Sequence, residues 1–230
     1  MTATALVTGG TGGLGAAVTE RFLDDGWRVV VPWKDARELH RVTAREGLEL
    51  VEADLTDQGS VQRVVDAAAA PESAPLRAVV NLVGGFAAGP LVGELELEDF
   101  ERQFELNLRP TFLVTRAALP HLVAAGGGSV VSIGTRAALE PFKGSAAYAS
   151  SKAAVIALAR AVARDYRDEG VRSNVLVPSV IDTPRNREDM PDADPTAWVT
   201  PAQLAETIGF LCSDAAASTS GAVIPVYGRA

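Results

Sequence analysis

Tyr148 and Lys152 are the pair whose residue types and spacing most directly suggest proton-transfer chemistry. They lie four residues apart in an Ala-rich segment, so a helix would project both side chains from one face. A free tyrosine, with a pKa of about 10, is a poor acid or base at neutral pH. A neighbouring ammonium stabilises the phenolate and lowers that pKa. On spacing alone, an exposed aromatic side chain and a solvated charge would be the preferred interpretation.

A glycine-rich segment near the amino terminus has the composition of a phosphate-binding loop. Five of the seven residues from Gly9 to Gly15 are glycine. Glycines let backbone N–H groups approach a phosphate, and the following helix adds a favourable dipole. A simple tight turn would not need so many glycines. The pattern fits several dinucleotide-loop variants, so it predicts dinucleotide binding without choosing a subfamily, through Gly9, Thr11, Gly12, Gly13, Leu14 and Gly15.

Apolar, β-rich segments alternate with helix-like segments along the whole chain. Several predicted strands lack polar alternation, which is typical of parallel strands covered on both faces. We therefore predict an α/β Rossmann fold, with a doubly wound parallel sheet of about seven strands and helices on both faces. One dinucleotide-binding and catalytic domain would span residues 1–230, with an irregular substrate loop at about 184–199. The predicted strands are 3–7, 28–31, 48–52, 76–82, 129–133, 171–177 and 222–226, and the predicted helices are 14–26, 61–70, 95–125, 146–166 and 201–212.

Composition removes several classes of function. The 230 residues are 47% hydrophobic and carry a formal net charge of −8, without a run of Lys or Arg, so neither nucleic acid nor a membrane is an expected partner. Only Cys212, His40 and His121 could offer thiolate or imidazole ligands, so we expect no disulfide and no metal site. Residues 1–15 lack the features of a signal peptide. A cytoplasmic location is therefore expected.

These motifs together resemble the short-chain dehydrogenase/reductase family, in its compact single-domain branch. Its glycine motif TGxxxGxG matches residues 8–15, and its PGxxxT segment appears as PSVIDT at residues 178–183. The likeness covers nearly the whole chain and implies hydride transfer between a nicotinamide cofactor and a small-molecule carbonyl or alcohol. The remaining family motifs are NNAG, present as Asn81-Leu82-Val83-Gly84, a helix asparagine at Asn107, and YxxxK at Tyr148 and Lys152.

The resemblance assigns catalytic roles. Tyr148 would exchange the substrate proton, Lys152 would bind the nicotinamide ribose and lower the pKa of Tyr148, and Asn107 would support a water in a proton relay. The family's catalytic hydroxyl falls at Thr135, because Ser132 is in the wrong register. Thr keeps the O–H group but adds a methyl group and a stiffer χ1.

The resemblance also assigns cofactor contacts. Asn81, Val83 and Gly84 would line the riboses, and the segment from Pro178 would place Ile181 and Thr183 at the carboxamide. The pair Asp54-Leu55 matches residues that contact adenine, although Asp54 as a plain turn residue is an alternative.

A narrower likeness concerns the substrate loop. Gly84-Gly85-Phe86, Asp182-Thr183-Pro184 and the residues up to Pro201 are similar to quinonoid dihydropteridine reductases. A dihydropteridine-type or imine reductase is therefore an alternative function. An epimerase or dehydratase of the longer branch would also suit the glycine loop, and a non-catalytic nicotinamide-binding redox sensor would suit Thr135 and the altered NNAG motif.

The end of the second strand bears on the choice of cofactor. Enzymes of this fold that select NAD place an acidic residue there, whereas this chain has Trp33 followed by Lys34. Arg37 adds a second cation nearby, and Asp35 opposes both. We therefore expect NADP(H) in preference to NAD(H), with Trp33 against the adenine and Lys34 near the 2′-phosphate.

Two further expectations concern what the protein binds. Residues 85–92 and 184–199 would form the rim of the substrate pocket, where Phe86, Met190 and Trp198 favour an apolar or aromatic molecule. A stripe of small residues at four-residue spacing predicts close helix packing in a homodimer or homotetramer, unless it packs on the sheet instead. The stripe consists of Ala149, Ala153, Ala157 and Ala161.

Overall fold

The computed structural model describes residues 3–229, and its strands form one parallel sheet. The strand order is β3-β2-β1-β4-β5-β6-β7, so the chain starts in the middle of the sheet and winds out in both directions. This confirms the predicted doubly wound Rossmann architecture. The strands are β1 (Thr4–Thr8), β2 (Arg28–Trp33), β3 (Leu48–Glu52), β4 (Leu76–Asn81), β5 (Gly128–Ile133), β6 (Val171–Pro178) and β7 (Val223–Val226).

The helices follow the strands as predicted, except that one predicted helix is divided in two and the predicted irregular loop contains a short helix. The segment 95–125, predicted as one helix, is two helices that meet at Leu108. Pro110 has no N–H to donate to the preceding turn, so the helical hydrogen-bond ladder is interrupted there. The helices are α1 (Gly15–Asp24), α2 (Gln58–Ala69), α3 (Leu97–Asn107), α4 (Arg109–Ala124), α5 (Ala146–Asp165), α6 (Pro184–Asp189) and α7 (Pro201–Cys212).

Each central strand is buried on both faces. In β1, Ala5 and Val7 pack toward α1 and α7, whereas Leu6 between them packs toward α2 and α4. This alternation explains the continuous apolar strands of the sequence, since both sides of the pleat face helices. The two layers fix the carboxyl edge of the sheet, where ligands bind in folds of this type.

The predicted irregular loop at 184–199 contains helix α6, which Thr183 caps by accepting a hydrogen bond from the Asn186 N–H at 3.3 Å.

Among residues 3–229, α5 is the one helix long and apolar enough to cross a membrane, but half of that stretch is buried inside the fold. It packs on the sheet, as a core helix does.

Candidate active site

The glycine loop connects β1 to α1 at the carboxyl edge of the sheet. Gly12 N–H donates to the Gly9 carbonyl at 2.9 Å, which makes the turn tight. A Cβ on Gly15 would overlap the Gly9 carbonyl oxygen, so only glycine fits there. Thr183 packs against Gly13 from the other side. The loop that begins α6 therefore covers the glycine loop and encloses the space between them.

The segment after β4 forms the next wall of this space. Asn81 is 3% exposed, and its Nδ2 donates to the Thr115 hydroxyl at 3.0 Å. Its Oδ1 has no hydrogen-bond partner among residues 3–229. Val83 lies against Gly9, and the Leu82 N–H donates to the Thr8 hydroxyl at 3.1 Å. A buried acceptor without a donor, next to a phosphate-type loop, fits a dinucleotide with ribose hydroxyls.

Asn107 and Lys152 lie behind this wall and are almost fully buried. Asn107 Oδ1 accepts the Gly85 N–H at 2.9 Å, and its Nδ2 donates to the Ser151 hydroxyl at 3.0 Å. A Cβ on Gly84 would lie 2.6 Å from Asn107 Oδ1 and 3.0 Å from Lys152 Nζ. The two side chains therefore occupy the space beside Gly84, so this position needs a residue without a side chain.

Lys152 is a buried cation held by the backbone. Its Nζ donates to the Ile133 carbonyl at 3.0 Å, and burial lowers its pKa to about 8. The Ile133 carbonyl keeps this ammonium at the carboxyl end of β5.

Tyr148 lies one turn before Lys152 on α5, beside Thr135. Burial raises the pKa of the Tyr148 phenol, and a hydrogen bond with the Thr135 hydroxyl opposes that shift. In the chain by itself the net shift of the Tyr148 pKa is therefore upward, because the phenol is partly removed from water while the Lys152 ammonium contacts the Ile133 carbonyl. A lowering of the Tyr148 pKa by Lys152 stays a prediction.

Thr135 and Ser132 occupy different positions relative to the sheet. Ser132 is buried within β5, where it is paired with Asn81 on one side and Val175 on the other. Thr135 lies beyond the end of that strand, is 8% exposed, and accepts a weak hydrogen bond from the Ala137 N–H at 3.4 Å. Only Thr135 thus reaches the space next to Tyr148.

An aromatic wall borders Tyr148 on the open side. The Phe86 ring meets the Tyr148 ring edge to face at 5.1 Å between centroids, and Phe142 lies 6.2 Å from Phe86. Phe86 and Phe142 are 61% and 49% exposed. Of the predicted rim residues, Trp198 is buried in the fold and Met190 is half-buried. Phe142 was not predicted from the sequence as part of the site. Its position six residues before Tyr148, in the loop that leads to α5, was the signal that could have identified it.

The predicted adenosine end of the site lies between the carboxyl ends of β2 and β3. A cavity of about 630 Å³ there is lined by Trp33, Lys34, Asp54 and Leu55, among others. Lys34 Nζ forms an ion pair with Asp54 Oδ2 at 2.6 Å. Lys34 and then Thr56 hold the pKa of Asp54 at about 2. Asp54 is also a turn residue, as the alternative interpretation predicted, because its Oδ1 accepts the Thr56 N–H at 2.9 Å.

Two further carboxylates, those of Asp35 and Glu38, line this cavity. Glu38 Oε2 accepts a hydrogen bond from the Thr11 hydroxyl at 2.9 Å, which joins the segment after β2 to the glycine loop. Arg37, expected near the phosphate, is instead paired with Asp35 at 2.7 Å. Glu38 was not predicted from the sequence, because its contact with Thr11 joins residues 27 positions apart.

The remaining predicted contacts follow β6. Pro178 is the last residue of that strand and is buried. Ile181 forms an isolated bridge with Val199, and its carbonyl accepts from Asn186 Nδ2 at 2.8 Å. These bonds place Thr183 over the glycine loop. The structure therefore brings all the predicted cofactor residues to the same edge of the sheet.

Comparison with known proteins agrees with this geometry. Residues 3–194 match the family model for short chain dehydrogenase. The chain is 33% identical to the 2-(R)-hydroxypropyl-CoM dehydrogenase of Xanthobacter autotrophicus, over 99% of this chain and 98% of that protein.

Two solved structures show related chains with different nicotinamide cofactors. A blue fluorescent protein from a metagenomic library, in complex with NADPH, is 29% identical, with a TM-score of 0.85 over 99% of this chain and 97% of that one. A 3-ketoacyl-(acyl-carrier-protein) reductase from Brucella melitensis, complexed with NADH, is 26% identical, with a TM-score of 0.86 over 99% and 98%. The comparisons do not favour the pterin-reductase or redox-sensor alternatives. The chain belongs to the short-chain dehydrogenase family and is a nicotinamide-dependent oxidoreductase of alcohol or carbonyl groups.

Proposed function

We propose that the chain works as one dinucleotide-binding and catalytic domain in which Tyr148 gives and takes the substrate proton. The observation that carries this proposal is the pairing of the half-buried Tyr148 phenol with the buried Thr135 hydroxyl at the mouth of the cofactor site. A bound nicotinamide supplies or accepts the hydride. Because burial raises the pKa of Tyr148, the phenol is protonated at neutral pH and suits a proton donor to a carbonyl oxygen.

Thr135 acts on the same oxygen. Its hydroxyl donates a hydrogen bond to the carbonyl oxygen as negative charge develops there, and Tyr148 then delivers its proton. The φ of −159° at Thr135 belongs to an extended chain leaving β5, so the strand end fixes the hydroxyl. A rigid donor is worth more in catalysis than a mobile one, since it needs no reorganisation.

Lys152 and Asn107 position and tune these groups. The Lys152 ammonium is buried and would meet the hydroxyls of the nicotinamide ribose, where its charge stabilises the phenolate left after proton transfer. Asn107 holds the turn after β4 through Gly85 and holds α5 through Ser151. A water bound near Asn107 in a proton relay stays a prediction.

The substrate is a small carbonyl compound or alcohol with an apolar, preferably aromatic, body. Phe86 and Phe142 offer exposed rings beside Tyr148, and aromatic surfaces favour flat apolar ligands. The experiment that tests the proposed reaction is a reduction screen with the purified chain, in which aromatic ketones, oxoacyl thioesters, imines and quinonoid dihydropterin are offered with NADPH and with NADH.

NADP(H) is the proposed cofactor. No carboxylate occupies the end of β2, where Trp33 is half-buried and forms part of the cavity. Lys34 beside it is 72% exposed and paired only with Asp54. A 2′-phosphate can replace the Asp54 carboxylate at this ammonium, since both are oxyanions.

Lys34→Ala is expected to weaken NADPH binding about fivefold to tenfold and to leave NADH binding nearly unchanged. A charge-assisted contact at an exposed site is worth on the order of 1 kcal/mol, which corresponds to that change. Fluorescence titration of both cofactors measures it, with Lys143→Ala as the control for loss of an exposed lysine. Equal weakening of both cofactors by Lys34→Ala, or tighter NADH binding by the wild type, would contradict the proposal.

The protein is also proposed to form a homodimer or homotetramer through α5. Ala153, Ala157 and Ala161 are exposed, whereas Ala149 is buried, so three of the four stripe residues do not pack on the sheet. Phe112 on α4 is 45% exposed. Small residues let a second helix approach closely. We expect the assembly to act in the cytoplasm on small molecules, rather than on nucleic acid or membranes.

Ala157→Arg is expected to convert this assembly to monomer, because a long charged side chain would separate the two helices. Light scattering at micromolar concentration gives the mass of each species. Ala70→Arg, at an exposed position after α2, is the matched control and should leave the mass unchanged. A wild-type monomer at that concentration would rule out this interface.

A further inference from the structure

A second large concave surface lies at the opposite edge of the sheet from the candidate active site. It is a groove of about 1180 Å³ at the amino ends of β4, β5 and β6, bordered by the end of α5 and the segment after α7. We call it the arginine groove, because five arginines line it: Arg77, Arg160, Arg164, Arg167 and Arg172.

The charge of the arginine groove is opposite to that of the chain. Asp214 is the one acidic residue among the residues that line it, while the whole chain carries a formal net charge of −8. The acidic residues next to Arg164 and Arg167 in the sequence do not line the groove. The sequence has no basic run, because the fold brings these arginines together from two strands, one helix and the turn after that helix.

Two of the arginines are held in place by backbone carbonyls. Arg77 Nη1 donates to the Ala125 carbonyl at 2.7 Å, and Arg172 donates to the Leu211 and Ser213 carbonyls at 2.6 and 3.1 Å. Carbonyls fix a guanidinium without neutralising it, and each guanidinium has five N–H donors. Burial lowers the pKa of Arg172, and Arg77 adds to that shift, whereas Cys212 and Asp214 oppose it. The fold therefore holds two guanidinium groups near each other with one carboxylate beside them, an arrangement that a bound anion would stabilise.

The other three arginines stand at the rim. Arg160, Arg164 and Arg167 are exposed and line the groove. Arg160 and Arg164 are four residues apart on α5 and so share one face of that helix, and Arg167 lies in the turn that follows it. Within residues 3–229, none of the five groove arginines forms an ion pair. Arginines elsewhere, such as Arg102 and Arg185, do pair with nearby carboxylates.

We propose that the arginine groove binds a small ligand that carries two or more phosphate groups. Guanidinium groups recognise phosphate oxygens through paired, charge-assisted hydrogen bonds. Here the cations converge from several sides on a concave surface, which suits a compact polyanion better than a flat macromolecular partner. Ser213, Ser218 and Ser220 add hydroxyl groups to the lining. The groove lies across the sheet from Tyr148, so its ligand is distinct from the substrate and the cofactor.

Calorimetric titration with inorganic tripolyphosphate tests this proposal. The protein is first saturated with NADPH, because the glycine loop could itself bind phosphates. The wild type is expected to bind one tripolyphosphate, and Arg164→Gln/Arg167→Gln to weaken that binding at least about tenfold through loss of two charge-assisted contacts. The control Arg102→Gln/Arg185→Gln removes the same charge elsewhere and should bind like the wild type.

Each alternative outcome would overturn the proposal. These are absence of binding to the wild type, equal weakening in both double variants, and loss of self-association in the groove variant without a change in phosphate binding. The last result would identify the groove as an interface between copies of the chain. Arg160→Gln, which removes one exposed rim cation, is a second variant that must also weaken binding, so the test does not depend on the stability of the double variant.

Discussion

Tyr148→Phe is expected to lower turnover by about 10²–10⁴-fold while leaving cofactor affinity nearly unchanged. The substitution keeps the ring that meets Phe86 edge to face and removes only the proton that the mechanism transfers. The residual rate would come from the hydrogen bond of Thr135 and from binding alone. Steady-state kinetics with fluorescence titration of the cofactor separates the two effects.

Tyr166→Phe is the matched control for that variant. Tyr166 follows α5, at the other end of the helix, and packs among core residues, so its hydroxyl has no role in the proposed chemistry. Near-full turnover by Tyr148→Phe would refute the assignment. Loss of cofactor binding together with turnover would instead show that the phenol is needed to hold the cofactor.

Thr135→Val is expected to reduce turnover by roughly 10²–10³-fold, the cost typical of losing one donor to a developing oxyanion. Valine has the same branched shape, so packing at the end of β5 is preserved and only the hydroxyl is lost. Thr135→Ser keeps the hydroxyl and is expected to remain active. Turnover rates of the three proteins on one carbonyl substrate provide the comparison.

A neutral Thr135→Val substitution would contradict the proposed role of this hydroxyl. It would also favour the dihydropteridine-type branch, which can lack the hydroxyl, and would revive the likeness seen around Phe86 and Pro184. Reduced turnover of both Thr135→Val and Thr135→Ser would indicate that the methyl group, which stiffens χ1, is what positions the strand end.

The sequence was sufficient to predict the sheet because both faces of the central strands are covered. Residues such as Leu6 and Val7 are buried toward opposite layers, so each strand is a continuous apolar run. The break between α3 and α4 was not visible, since the apolar pattern continues through Leu108 and a proline near a helix start looks the same as one that interrupts a helix.

The site could be predicted only where a motif marks a residue. Tyr148, Lys152 and Asn107 are each marked by a motif on a predicted helix, whereas the contact of Glu38 with Thr11 and that of Phe142 with Phe86 depend on how loops pack. The upward effect of burial on the pKa of Tyr148 could not be predicted, because spacing on a helix indicates that Lys152 is near but does not show burial.

The most direct test of the proposed chemistry is to identify the product formed by the purified wild-type chain from an aromatic ketone and NADPH. The proposed mechanism predicts one alcohol formed for each NADPH oxidised, at a rate that Tyr148→Phe lowers by at least about a hundredfold. Tight NADPH binding with no alcohol from any ketone or oxoacyl thioester would contradict it, as would reduction of quinonoid dihydropterin alone.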